Sequence, residues 1–327
     1  MPYQKAPEIC PVCKEEADFK FIQDHKNNQG NWSLYECSRC QVQFWMPFQG
    51  PGKEWYESLP GYVVRDITKP KIVRGYHKQF FKIYKNFPQN IKVLDLGCGT
   101  GEFLAELQKR GCEAWGVDFD KNAIEIAKNY FKLKNVYAIS FEDFFKLPNL
   151  PKFDIVTFFE VIEHLDRPLE FIQNVKKILQ KDGLVVLSTP SRERILVDLS
   201  DDFPPYHLTR WNEKAISNLF EKINFKITHI CYIEQCKIIF NSLIEKFRFG
   251  LGVKIMKISK NREISGKKSV AIKNTILTKL LTKIVHLGDY FKGYLLFSIP
   301  AIILFLVGKV TKRKDGVMLI WLKRNYE

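Results

Sequence analysis

Four groups of residues in this chain have types and spacings that can do chemistry. Cys10-x2-Cys13 and Cys37-x2-Cys40 stand 23 residues apart. Each CxxC makes a tight knuckle, and two knuckles supply a tetrahedral set of four thiolates, the pattern of a zinc ribbon. Four thiolates leave no open position, so Zn2+ there is expected to be structural. The run Asp95-Leu-Gly97-Cys98-Gly99-Thr-Gly101 carries glycines where a chain can turn tightly and approach a ligand closely. Its spacing is GxGxG, and it lacks the GK[ST] of a phosphate-binding P-loop. Asp118 follows a little over twenty residues after Asp95, where an acid can accept both hydroxyls of a ribose. Glu160-Val-Ile-Glu163-His164-Leu places two carboxylates and an imidazole within five residues, and His207 lies in PPYHLTRWN.

These residues need elements to hold them. Residues 65–240 alternate short apolar strands with helical patterns, which predicts a parallel sheet flanked by helices. Strands are expected at 92–96, 114–118, 136–140, 153–159, 184–188 and 226–232. A last strand is expected at 316–322. Helices are expected at 69–86, 101–110, 123–131, 169–180 and 213–223. The fold class is therefore α/β, with a doubly wound, mostly parallel sheet whose ligands sit at the carboxyl ends of its strands. Four domains are predicted: a ribbon at 1–60, a ligand-binding domain at 65–240, a helical insertion at 241–312 and a terminal strand at 313–327.

Composition limits the function classes. The chain has 327 residues, is 46% hydrophobic and carries eight cysteines. It is expected to be globular, without a secretory signal or a disulfide framework, and cytoplasmic. Its net charge of +15 is unevenly spread. Residues 241–327 hold 18 Lys/Arg against 5 Asp/Glu, and the remainder is close to neutral. Such a block suits an anionic surface. Residues 273–291 are a basic amphipathic helix by spacing. The uncharged run 293–308 is broken by Pro300 and falls short of the ~20 residues that span a bilayer. Peripheral membrane association through 273–308, on the inner face, is the preferred expectation, with packing on the fold or on a partner copy as the alternative.

The segment VLDLGCGTG at 93–101, GVDFD at 116–120, Ser140-Phe141-Glu142-Asp143, FDIVTFFEVIEHL at 153–165 and LQKDGLVVLSTP at 179–190 together resemble the class I S-adenosylmethionine (SAM)-dependent methyltransferases. The resemblance implies a seven-stranded Rossmann-like sheet with the last strand returning antiparallel. It implies that Gly97, Gly99 and Gly101, with Cys98, line the methionine and ribose of SAM, with Asp95 near the methionine end. Asp118 would take the ribose hydroxyls, with Phe119 beside it, and Phe141 and Glu142 would flank the adenine. SAM has no phosphate but carries an ammonium and a sulfonium, which acids suit.

EVIEHL is similar to a segment of ubiquinone-pathway O-methyltransferases associated with a divalent metal. On that reading Glu160, Glu163 and His164 hold Mg2+ or a similar ion. On the preferred reading Glu160 contacts the cofactor and His164 is structural or a general base. His207 can deprotonate an attacking hydroxyl or be a surface residue. The N-terminal segment is similar to zinc domains fused to sugar- and small-molecule-modifying methyltransferases. Tyr56 or Tyr62 could then reach over the cofactor.

The resemblance implies methyl transfer to an oxygen or carbon of a small or lipid-linked acceptor, such as a quinone precursor or a sugar or glycolipid intermediate. An RNA methyltransferase using the Lys-rich quarter, and a SAM-binding adaptor without turnover, are the alternatives. Nucleic acid is the less favoured partner, because the basic residues are interleaved with long aliphatics.

Overall fold

The computed structural model describes residues 2–52, 55, 75–194, 203–233 and 316–325. The chain divides into two units, 1–233 with 317–327, and 234–316. The expected amphipathic and apolar segments at 273–308, Tyr56 and Tyr62 lie outside the described residues. Among the described residues no helix is long and apolar enough to cross a membrane.

Two sheets organise the first unit. The smaller contains β1 (Phe19–Asn27), β2 (Gly30–Cys37), β3 (Gln43–Met46) and β9 (Thr209–Arg210), in the order β1-β2-β3-β9. All of its pairings are antiparallel. Its fourth strand comes from the far side of the sequence, so the ribbon is not confined to the first sixty residues.

The larger sheet has seven strands in the order β10-β11-β8-β7-β4-β5-β6. These are β4 (Lys92–Leu96), β5 (Glu113–Asp118), β6 (Asn135–Ala138), β7 (Phe153–Phe159), β8 (Leu179–Pro190), β10 (Phe225–Ile233) and β11 (Val317–Arg324). β4 to β8 pair in parallel, and β11 runs antiparallel to both β8 and β10. This is the expected Rossmann-like sheet. Its order reverses at β4, between β5 and β7, which opens a crevice at the carboxyl ends of β4 and β7.

Local chemistry starts and stops the helices. α1 (Gly75–Ile83) packs Tyr76 on Phe159 of β7, 5.3 Å between ring centroids, and Phe80 on Phe103 of the next helix, 5.2 Å. Full burial of one such ring is worth about 1.5–3 kcal/mol. α2 (Glu102–Lys109) starts at the glycine loop. Asp120 caps α3 (Lys121–Asn129) by accepting from the Asn122 and Ala123 N–H groups. Ser140 caps α4 (Phe141–Phe145), a short helix absent from the sequence reading, which extends the third strand to Ser140. Pro168 occupies the first turn of α5 (Pro168–Ile178), and Asn212 caps α6 (Glu213–Glu221). β8 is longer than expected because it starts directly at the end of α5.

Candidate active site

The glycine loop is built from its own βαβ unit. The Gly97 and Cys98 N–H groups donate to the Val117 carbonyl at 2.7 and 3.0 Å. The Gly99 N–H donates to Asp118 Oδ2 at 2.8 Å, and Asp118 Oδ1 accepts from the Asp120 N–H at 3.0 Å. Gly99 has φ +54°, and a Cβ there would meet no atom within 4 Å, so its face is open to a ligand. A Cβ on Gly97 would instead lie 2.7 Å from Val161 Cγ2, so Gly97 lets β4's loop abut the segment after β7.

Two buried acids sit at this loop. Asp95 is 2% exposed and accepts from the Thr157 hydroxyl at 2.7 Å. Burial pushes its pKa up to about 7, the Thr157 bond opposes the rise, and Asp118 adds to it. A carboxylate held this way is stabilised by an incoming cation. An open glycine face beside buried acids fits SAM, which carries an ammonium and a sulfonium and no phosphate. Burial also holds the Cys98 thiol protonated.

Other expected contacts fall as follows. Phe119 is half-buried after β5. Phe141 lies at the start of α4 against Phe171, 5.2 Å between ring centroids, and Glu142 is exposed in the first turn. Glu160 ends β7 at φ +56°, a left-handed conformation rare outside glycine. Its N–H donates to the Ser188 carbonyl at 3.0 Å, and its carboxylate accepts from the Ser188 hydroxyl at 2.8 Å.

The fold does not gather Glu160, Glu163 and His164 as one ligand set, the less favoured of the two readings of EVIEHL. Glu163, His164 and His207 bring one donor atom each within 4.8 Å of one another. Glu160 is turned toward Ser188 instead. A carboxylate with two imidazoles is a nitrogen-rich set, whereas Mg2+ takes oxygen ligands, so these residues do not fit Mg2+. His164 Nδ1 lies 2.6 Å from the Tyr206 carbonyl. A carbonyl only accepts, so Nδ1 carries the hydrogen and Nε2 of the neutral ring carries the lone pair. Burial and the neighbouring His207 push the His164 pKa down to about 3, against the Tyr206 bond. The two imidazole centroids are 4.8 Å apart. Sequence reasoning named both histidines but not their meeting, because 42 residues separate His164 from Tyr206.

The four ribbon cysteines are buried together. Cys10 and Cys40 sulfurs are 3.8 Å apart, Cys13 and Cys37 sulfurs 4.0 Å, and all four lie within 4.8 Å of one another. Sulfurs ~2.3 Å from a tetrahedral centre are about 3.8 Å apart, so the set is compatible with zinc. The two knuckles repeat one geometry. Lys14 N–H donates to the Cys10 carbonyl at 3.0 Å and Gln41 N–H to the Cys37 carbonyl at 2.9 Å, with Lys14 at φ +60° and Gln41 at +59°. Bonding to their sulfur neighbours drives the Cys10 and Cys40 thiols up and holds the Cys37 thiol down. Four adjacent thiols cannot all ionise without a cation between them.

Residues 69–230 match the model of a methyltransferase domain. These residues belong to the class I SAM-dependent methyltransferases. The ubiquinone biosynthesis O-methyltransferase of Pelagibacter ubique is 34% identical over 169 residues, covering 50% of this chain and 66% of that protein. The protein of the same name from Glaesserella parasuis is 35% identical over 108 residues, 31% of this chain and 46% of that one. A SAM-dependent methyltransferase structure from Archaeoglobus fulgidus is 17% identical with a TM-score of 0.48, over 76% of this chain and 92% of that one. The chain spans about half the length of the curated relatives it matches.

Proposed function

We propose that this methyltransferase moves the methyl group of SAM to a hydroxyl oxygen of a small or lipid-linked acceptor of the quinone-precursor type. One observation carries the reading. Val161, two residues before Glu163 of the Glu163–His164–His207 cluster, lies against Gly97 of the glycine loop, which supports reading the cluster and the loop as two sides of one site. The names of the similar proteins, O-methyltransferases of ubiquinone biosynthesis, support the oxygen acceptor.

SAM supplies an electrophilic methyl on a sulfonium. Asp118 would hold the ribose hydroxyls, the open face of Gly99 would take the chain between ribose and methionine, and buried Asp95 would balance the positive end. Orientation accounts for most of the rate in such a displacement. A hydroxyl also sheds a proton as its oxygen is methylated. His164 is a poor acceptor for it at neutral pH, with its pKa near 3 and its Nδ1 hydrogen tied to Tyr206. That leaves His207 as the base, with Glu163 beside it to balance an imidazolium.

The four ribbon thiolates are read as ligands of one structural Zn2+, bound by Cys10, Cys13, Cys37 and Cys40. The basic stretch 241–327, with its uncharged run at 293–308, supports docking on an anionic membrane face, which suits a lipid-linked acceptor.

The test is transfer from methyl-labelled SAM into a host extract separated into lipid, small-molecule, RNA and protein fractions. Label in the lipid or small-molecule fraction, on an ether oxygen by mass spectrometry, is expected. Label in RNA would overturn the acceptor and recast the basic stretch as a phosphate-binding surface.

A further inference from the structure

The loop that carries His207 belongs to two sheets at once. The Leu208 N–H donates to the Glu163 carbonyl at 2.8 Å, inside the methyltransferase domain. The Leu208 carbonyl accepts from the Trp45 N–H at 3.0 Å, inside the ribbon. The next two residues form β9 and pair with β3, Thr209 with Phe44 and Arg210 with Gln43. At the start of the loop the Phe203 ring stacks on His25, 4.0 Å between centroids and 16° between planes. The Pro204 carbonyl accepts from Asn27 Nδ2 at 3.0 Å.

The other end of β3 is the second cysteine knuckle, and the methyltransferase domain grips that too. The Gln41 carbonyl, one residue after Cys40, accepts from Arg192 Nη1 at 2.5 Å. Arg192 is also paired with Glu36 at 3.2 Å. An unbroken backbone path therefore runs from Cys37 and Cys40 through β3 to Leu208, and from there to Glu163. A strand of two residues has little stability of its own and takes its position from its neighbours. The bonds of the glycine loop, by contrast, come from Val117, Asp118 and Thr157.

We infer that the zinc ribbon is the seat of the acceptor side of the active site: through β3 it positions loop 203–211, and with it the His164–His207 pair. The ribbon residues Trp45, His25 and Asn27 are positioning residues, since they act through the loop. This rests on the reading that the two histidines face the acceptor, but it makes a separate claim about which part of the domain depends on the ribbon. Metal loading would set acceptor use while leaving SAM binding alone.

The experiment needs no acceptor. Amide hydrogen exchange and SAM affinity are measured on the full-length protein with its zinc, on the same protein stripped by a chelator, and on Phe203→Ala and Asn27→Ala, which keep all four cysteines. Histidine-ring 15N spectra are recorded in parallel. Stripping is expected to speed exchange across 204–211 and 162–166 at least tenfold and to erase the Nδ1–H signature of His164. Exchange across 93–101 and 115–118 and the SAM affinity should stay within threefold. The two substitutions should reproduce the loop effect in weaker form with zinc still bound. Unchanged exchange at 204–211 after stripping overturns the inference. So does a fall in SAM affinity that tracks the loop in the two zinc-loaded variants, because the ribbon would then support the whole domain rather than one side of its site.

Discussion

In the glycine loop, each backbone partner lies within one strand–helix–strand unit: Gly97 and Cys98 bond Val117, and Gly99 bonds Asp118. At Leu208 the two partners are Trp45 and Glu163, which are far apart in sequence. The first region takes its loop hydrogen bonds from β5 and its end. The second draws on the ribbon, the segment after β7 and the loop before α6. The lesson is that a loop built within one strand–helix–strand unit and a loop held from two sheets can stand in the same domain, the first proposed as the cofactor side of the site and the second as its acceptor side. The two sides should then respond to different perturbations.

The largest expected effect lies on the composite side. Cys37→Ser removes one of the four thiols proposed to hold zinc, and a structural zinc contributes on the order of 10 kcal/mol or more to folding its module. Zinc content measured by plasma mass spectrometry should fall from one per chain to near zero, with loss of the ribbon's near-ultraviolet signal. SAM should still bind with similar affinity. If SAM binding disappears as well, the two regions are not separable.

On the local side, Gly99→Val puts a branched side chain at φ +54° and into the open face of the loop. A fall in SAM affinity of roughly a hundredfold, about 2.7 kcal/mol, is expected with zinc content unchanged, read by titration calorimetry.

A pH experiment sharpens the contrast. The pKa of Asp95 is raised to about 7 from an unfolded value near 4. The folded protein without SAM therefore holds the extra proton between those values. Its stability is greatest at the acid end of that window and falls as pH rises toward 7. Binding the SAM cation should release the proton. Calorimetry at pH 6.5 in buffers of different ionisation enthalpy should report up to one proton released, and SAM should bind more tightly at pH 8 than at pH 6. Asp95→Asn should abolish the proton release.

The smallest effect is expected at the end of the composite loop. Asn212→Ala removes the side-chain oxygen that accepts from the Ala215 N–H at 2.9 Å and caps α6, and the amide that donates to Glu193 at 2.6 Å. About 1 kcal/mol of stability should go, seen as a lower midpoint in urea. Both SAM affinity and zinc content should be kept.

How much was legible in the sequence follows the same division. The glycine loop, Asp118 and the strands around them are readable because their chemistry is contiguous, and VLDLGCGTG carries both turn and ligand face. The cysteine ribbon is readable because CxxC spacing fixes ligand geometry. β9 could not be read, since Thr209-Arg210 has no strand pattern and is extended only because β3 lies beside it. Nor could the separation of Glu160 from Glu163. Their closeness in sequence left a shared ligand set open as an alternative, but the left-handed turn at Glu160 sends its carboxylate to Ser188. The nitrogen-rich cluster of Glu163, His164 and His207 depends on the Tyr206 carbonyl, which reaches His164 only in the folded chain.

Equilibrium titration of SAM into the full-length protein and into Asp118→Ala decides whether the crevice at the carboxyl end of β4, flanked by β5 and β7, is a SAM site. One site per chain is expected in the first. In the second a loss of affinity of a hundredfold or more is expected, since Asp118 both orders the Gly99 N–H and would hold the ribose, and charged hydrogen bonds are worth about 1.5–3 kcal/mol each. Absence of SAM binding in the unaltered protein, or equal affinity in the two, would contradict it.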